Sequence, residues 1–203
     1  MIKTIIFDFG NVFINLDIEG TQKLALNTFK IETLSEELLG FNSFYEQGLI
    51  STDEFLEFYM QNFPELPKEN LIAIWNFMLK NFPKNRLKFL KTLKHASKYK
   101  LILLSNTNEL HITHIKEHVS FYQEFKNCFD AFYLSHEINL VKPNRDIFEF
   151  VLNTNDIKAA ECLFIDDNKN NIEAAKKLKM KTWHINPETE DVTNLFETKK
   201  NLF

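Results

Sequence analysis

The sequence predicts a doubly wound α/β fold: a parallel sheet with helices on both faces, into which an all-helical unit is inserted after the first strand. Two observations carry this expectation. Short continuous apolar runs recur at Thr4–Phe7, Leu101–Leu104, Ala131–Leu134, Cys162–Ile165 and Thr182–Ile185, and helical patterns separate most of them. Strands that are apolar on both faces and alternate with helices belong to a parallel sheet buried on both sides. The second observation is a break in that alternation, because residues 15–85 hold several helical stretches and no convincing strand.

In chain order, Thr4-Ile5-Ile6-Phe7 stops at Asp8-Phe9-Gly10-Asn11, the pattern of a buried strand that ends in a loop. Within the inserted block, Ser51-Thr52-Asp53-Glu54 is an N-terminal capping signature for a helix running to Phe63. Phe55, Phe58, Tyr59 and Asn62 follow a helical period there, as do Leu71, Ile74, Trp75 and Met78 in the next helix, and both stripes read as the core of a small bundle. Phe44-Tyr45-Glu46-Gln47-Gly48 reads as a helix end turning at Gly48, placed to act as a specificity loop. The polar tail from Thr189 to Phe203 reads as a short terminal helix.

A chain of 203 residues, 44% of them hydrophobic, supports one core with a modest insertion. The division expected is a core of residues 1–14 and 86–203 and an insertion of residues 15–85. A net charge of −4 provides no basic face for a phosphate backbone, which argues against a nucleic-acid partner. Cys128 and Cys162 have no metal-ligand spacing and are too few to staple a fold. Asp8 interrupts the first apolar run, and no later stretch reaches ~20 apolar residues. The expectation is a soluble cytoplasmic protein without a membrane partner; oligomeric state is not encoded legibly.

Ligands of open α/β sheets bind beyond the carboxyl ends of the strands. Four such places are chemically loaded here: Asp8, Ser105-Asn106-Thr107-Asn108, Lys142-Pro143 after the third strand, and Asp166-Asp167-Asn168. Each alone is ordinary turn or capping chemistry. Together, in order at one end of one sheet, they suit phosphoryl transfer. A carboxylate can attack phosphorus only if the ester's negative charge is neutralised by a cation and fixed donors. Asp8 and Asp167 offer hard oxygens suited to Mg²⁺. Ser105, the Asn106 backbone N–H and Lys142 can donate to phosphate oxygens, and Lys142 would hold Asp8 ionised.

The ordered set Asp8-Phe9-Gly10-Asn11-Val12, Leu104-Ser105-Asn106-Thr107-Asn108, Val141-Lys142-Pro143 and Phe164-Ile165-Asp166-Asp167-Asn168 resembles the four motifs of the haloacid dehalogenase superfamily. The helical insertion resembles its C1 cap. Within the superfamily the chain is similar to the bacterial α-D-glucose-1-phosphate phosphatase group, through the Asp-x-Gly-Asn-Val opening, the Ser-Asn-Thr-Asn loop followed by Leu110-His111, and the double Asp. The resemblance implies a Rossmann-like core and Mg²⁺-dependent hydrolysis of a small phosphate ester. It implies Asp8 as nucleophile, Ser105, Asn106 and Lys142 as phosphate binders, and Lys142 as the partner of Asp8. Asp8, the Gly10 carbonyl and Asp167 would be the metal ligands, with Asp166 behind them or reaching the ion through water.

One position departs from the family pattern. Most of its phosphatases carry a second Asp two residues after the nucleophile, as proton donor to the leaving oxygen, and here that residue is Gly10. General acid–base assistance is worth ~10²- to 10⁴-fold, so a slow enzyme, a good leaving group or a substitute acid is expected. Asp17 and Glu46 are the substitutes the sequence offers, against the plainer reading of both as surface carboxylates. Gly10 also keeps open a non-catalytic binding protein on the same fold. Metal-free dehalogenase chemistry at Asp8 is disfavoured by Asp166-Asp167, since paired acids serve a cation and otherwise repel a carboxylate nucleophile. His111, His114 and His118 have helical metal-pair spacing, but no Cys or carboxylate partner is evident in sequence.

Overall fold

The five apolar runs form one parallel sheet in the computed structural model, which describes residues 1–203. Its strands are β1 (Thr4–Phe7), β2 (Lys100–Ser105), β3 (Ala131–Leu134), β4 (Cys162–Asp166) and β5 (Lys181–His184), in the order β3-β2-β1-β4-β5. Phe7 lies level with Leu103 on β2 and Ile165 on β4. Asp8, Ser105 and Asp166 therefore emerge at one end of the sheet. The chain winds outward from β1 to β3 and then crosses back to β4, so the switch in winding direction falls beside β1, where such sheets bind ligands.

Alternation along the strands sends successive side chains to opposite faces. Ile5, Phe7, Leu101, Leu103, Leu163 and Ile165 join one buried cluster, whereas Ile6, Ile102, Leu104 and Phe164 join another. The phenylalanine-rich composition is used mainly on the first face. Phe9 stacks on Phe125 at 5.2 Å and Phe13 meets the same ring edge-on at 5.0 Å, geometries that suit the aromatic quadrupole.

Four helices follow β1: α1 (Ile18–Phe29), α2 (Glu36–Glu46), α3 (Thr52–Asn62) and α4 (Lys68–Asn76). They share a separate cluster of Leu38, Tyr45, Phe55, Leu56, Tyr59 and Leu71. Ser51 caps α3 through a full capping box with Glu54. The buried stripe of α3 is Phe55, Leu56 and Tyr59, and Asn62 is exposed. Asn62 was expected in the core; it lies in the last turn, where its amide bonds back to the Phe58 carbonyl at 2.9 Å.

The two chain crossings into this helical block run side by side. Asp17 N–H donates to the Met78 carbonyl at 2.9 Å, Lys80 N–H to Asn15 at 2.9 Å, and Asn15 N–H to Asn81 at 3.0 Å. Phe82 then packs into the larger sheet cluster, ahead of α5 (Lys84–Ala96), which leads to β2. The remaining connections are α6 (Glu109–His118) and α7 (Tyr122–Lys126), α8 (Ser135–Ile138) and α9 (Arg145–Thr154), then α10 (Lys169–Lys177), with α11 (Leu195–Thr198) in the tail.

The end of α2 is also fastened to the sheet side. Gln47 donates through Nε2 to the Asn139 carbonyl at 3.1 Å, and Asn139 returns its amide to the carbonyls of Gln47 and Gly48, both at 3.0 Å. Gly48 has φ +69°, and a Cβ there would stand 2.1 Å from the His136 carbonyl oxygen, so only glycine permits this approach. No helix is long and apolar enough to cross a membrane.

Candidate active site

Lys142 is the hub of the cluster at the strand ends. Its Nζ donates to Asp8 Oδ1 and to Asp166 Oδ2, each at 2.7 Å, and it is 3% exposed. The Asn106 side chain fixes its backbone reciprocally, accepting from Lys142 N–H at 2.9 Å and donating to its carbonyl at 2.8 Å. A lysine on a loop, with four rotatable side-chain bonds, is thereby held in one pose.

Asp166 is saturated. Besides Lys142, its oxygens accept from the Asn171 amide at 3.1 and 3.0 Å and from Asn168 N–H at 2.7 Å. It can orient Lys142 but has little left to offer a ligand. Asp8 and Asp167 differ, because each has one oxygen engaged and one without a protein partner. For Asp8 the engaged atom is Oδ1, bonded to Lys142; for Asp167 it is Oδ2, which accepts from Asn11 Nδ2 at 2.7 Å. Asn11 adopts φ +54°, a conformation asparagine tolerates better than most residues, and its Oδ1 is pinned by Leu16 N–H at 3.0 Å. The Gly10 carbonyl accepts from Val12 N–H at 2.7 Å and retains a second lone pair.

Ligand oxygens of Asp8, Asp166 and Asp167 all lie within 4.8 Å of one another, with a single buried ammonium among them. Burial pushes the Asp8 carboxyl up to about 7; Lys142 pulls it back in part, and the charges of Asp166 and Asp167 add to the rise. Burial also raises Asp167, against the hydrogen bond from Asn11. For Lys142 burial disfavours the charge, but Asp166 and Asp8 outweigh it and keep the amine protonated. The site is short of positive charge, and hard carboxylate oxygens at this spacing fit a divalent cation such as Mg²⁺.

Ser105 is buried at the end of β2, its hydroxyl 3.4 Å from the Asn106 carbonyl. At Gly10, a Cβ would sit 2.6 Å from Leu16 Cδ1 and 3.9 Å from Asp8 Oδ2. Leucine thus covers the place from which an acid at this position would act.

The structure separates the two substitute acids. Asp17 caps α1, accepting from Gly20 N–H at 2.8 Å and pairing with Lys80 at 3.3 Å, and these contacts hold its carboxyl below the usual value. Glu46 ends α2, and its side chain lines a cavity between the helices rather than the surface. Ser135 links it to the phosphate-loop candidate: its Oγ donates to the Glu46 carbonyl at 2.6 Å and accepts from Thr107 N–H at 2.9 Å.

The three histidines of α6 do not converge. His114 and His118 stack at 4.0 Å, and His118 Nδ1 sits 2.8 Å from the His114 carbonyl. His111 turns inward, where the Asn108 amide donates to Nδ1 at 3.2 Å and Nε2 donates to the Trp75 carbonyl at 3.0 Å. Burial drives its pKa down to about 4 against the Trp75 hydrogen bond, so it is a neutral strut between α6 and α4.

Asn11 and Asn171 were not singled out from sequence. The signal for Asn11 was an asparagine directly after a glycine in a strand-to-loop break, where a left-handed residue is common. The signal for Asn171 was weaker: an amide in the first turn of the helix after the double Asp.

Comparison with known proteins places this geometry. The model of a hydrolase family, the haloacid dehalogenase-like hydrolases, matches residues 2–179. The chain is 28% identical over 190 residues to the D-ribitol-5-phosphate phosphatase of Bacteroides thetaiotaomicron, an alignment covering 90% of this chain and 91% of that one. The magnesium complex of a HAD family enzyme from B. thetaiotaomicron superposes with a TM-score of 0.85 at 31% identity, over 96% of this chain and 98% of the other. A structure of the same enzyme with magnesium and inorganic phosphate gives a TM-score of 0.81 at 30% identity, over 97% and 100% of the two chains. The family model spans most of the chain and the solved relative is matched over nearly its whole length, so this chain belongs to the haloacid dehalogenase-like hydrolase family.

Proposed function

We propose that this protein is a Mg²⁺-dependent phosphatase of a small phosphorylated metabolite and that Asp8 is its nucleophile. The observation that carries this is the asymmetry of the carboxylates: Lys142 spans Asp8 and Asp166 at 2.7 Å on each side, while one oxygen of Asp8 and one of Asp167 remain without a protein partner. Asp8, Asp167 and the Gly10 carbonyl would hold the cation, which supplies the positive charge that lets an anionic ester approach a carboxylate. One relative, seen with magnesium and again with magnesium and inorganic phosphate, supports this assignment. Asp166 acts through Lys142 and not as a ligand.

Ser105, the Asn106 backbone N–H and Lys142 would orient the phosphoryl group. An Asp8 oxygen forms a bond to phosphorus as the ester oxygen departs, and water then attacks the same phosphorus, releasing inorganic phosphate and restoring Asp8. The helices of residues 15–85 serve as a cap that excludes bulk water from the carboxylates and selects the alcohol. The two buried, unpaired cysteines support action in a reducing cytoplasm. The D-ribitol-5-phosphate phosphatase likeness makes sugar and sugar-alcohol phosphates the first esters to try.

The test is release of inorganic phosphate from such esters and from p-nitrophenyl phosphate, with Mg²⁺ and with excess chelator. Metal-dependent release is expected. A folded protein that binds Mg²⁺ yet releases nothing would support the binding-protein alternative, which Leu16 over Gly10 favours.

A further inference from the structure

A cavity of about 290 Å³ lies between α1 to α4 and α6, and eleven of its sixteen lining residues are hydrophobic. It adjoins the segments that carry the candidate active site: Ser135 Oγ bridges the Glu46 carbonyl and Thr107 N–H, at 2.6 and 2.9 Å. Ile18 and Thr21 open α1 just after Leu16, which covers Gly10, and His111 stands one turn into α6 from the Ser105–Asn108 loop. Rings of Phe29, Phe55, Tyr59 and Trp75 line it, with Phe55 and Tyr59 set edge-on to Trp75 at 4.7 and 6.4 Å.

Polar groups in this space are few and mostly occupied. Thr21 donates to the Asp17 carbonyl at 2.6 Å, Asn42 Oδ1 accepts from the Tyr59 hydroxyl at 2.7 Å, and both nitrogens of His111 are bonded. Gln22 is exposed. Glu46 has only burial acting on its carboxyl, which raises its pKa, and the Trp75 indole N–H is buried without a partner. A polyol placed here would face hydrocarbon with most of its hydroxyls, each losing its water without replacement. One cation would suit the same walls, because a lone carboxylate pairs with it and aromatic faces attract it.

We propose that this cavity receives the alcohol portion of the substrate and that this portion carries an ammonium group, so that the substrate class is phosphate monoesters of amino alcohols. The cation is held by Glu46 and by the aromatic rings that line the cavity. This rests on the phosphatase assignment and narrows it.

The experiment compares 2-(trimethylammonio)ethyl phosphate with 3,3-dimethylbutyl phosphate, which share a shape and differ in charge, with ribitol 5-phosphate as the polyol and p-nitrophenyl phosphate as the general ester. The ammonium ester is expected to exceed its neutral isostere in kcat/KM by about tenfold or more. In Glu46→Gln that ratio is expected to collapse toward unity, a change that a merely structural role of Glu46 would not produce. Equal rates for the isosteres, or a preference for ribitol 5-phosphate that Glu46→Gln leaves intact, overturns the proposal while p-nitrophenyl phosphate hydrolysis upholds the phosphatase. If no ester is hydrolysed, the phosphatase assignment fails, and the cavity is judged by binding alone. Of the two tryptophans, Trp183 is 1% exposed in the sheet core, so fluorescence titration of the Asp8→Asn protein with the two isosteres reports on Trp75. Tighter binding of the ammonium ester supports the proposal, and equal binding overturns it.

Discussion

Asn11 shows how a residue with no chemistry of its own sets a site. Its amide fixes Asp167 at 2.7 Å and is itself fixed by Leu16, so Asp167 is held in one rotamer within the carboxylate cluster, with its other oxygen unengaged. Asn11→Ala is expected to weaken Mg²⁺ binding by about 10- to 100-fold, measured by calorimetric titration, with little change in secondary structure by circular dichroism. Gly10 bears on rate. With leucine where a proton donor would act, turnover is expected to rise steeply with the acidity of the leaving alcohol, p-nitrophenyl phosphate outrunning simple alkyl phosphates by about 10²-fold or more. His111 bears on stability. Its folded pKa, about 4, lies below the ordinary 6.5, so the unfolded chain takes up a proton that the folded chain refuses. Stability therefore falls as pH drops through that window and is flat above it, a loss of about 3 kcal/mol at most from this group. Urea midpoints of His111→Asn are expected to fall less between about pH 7 and about pH 4.5 than those of the parent.

At the scale of elements, the strands were legible because each is a short apolar run that ends in loaded polar residues, and neither feature depends on distant parts of the chain. Helix faces were less so. A period starting at Phe55 suggested Phe58 and Asn62 as core, whereas the buried stripe is rotated toward Leu56, since the position of the neighbouring helices, not the period itself, chooses the face. The fastening of α2 to α8 was invisible in sequence beyond the glycine that permits it. Gly48→Ala is expected to destabilise by about 1–3 kcal/mol, because its Cβ would strike the His136 carbonyl in a conformation alanine resists. Denaturant unfolding measures this.

For the whole molecule, the winding of the sheet collects four sequence-distant segments at one end, and that was readable from motif order. The way Lys142 divides itself between Asp8 and Asp166 was not, because it needs a loop 134 residues from Asp8 to arrive with its backbone clamped by Asn106. Nor was the cavity holding Glu46, whose walls come from five helices. The assembled charge has a further consequence. On the proposed assignment a proton competes with the cation for Asp8, whose carboxyl burial pushes up to about 7, so Mg²⁺ binding is expected to weaken as pH falls through that value. Calorimetry should show tighter binding with little proton release at about pH 8, and weaker binding with proton release at about pH 6, where the cation displaces the proton on Asp8.

The most direct measurement of Asp8 as nucleophile is an acid quench during steady turnover of p-nitrophenyl phosphate with Mg²⁺, followed by mass spectrometry of the peptide containing Asp8. A phosphoryl group on Asp8, absent from Asp8→Asn and from chelated enzyme, is the result expected. Phosphate release that proceeds with Asp8 unmodified, or undiminished in Asp8→Asn, would contradict it.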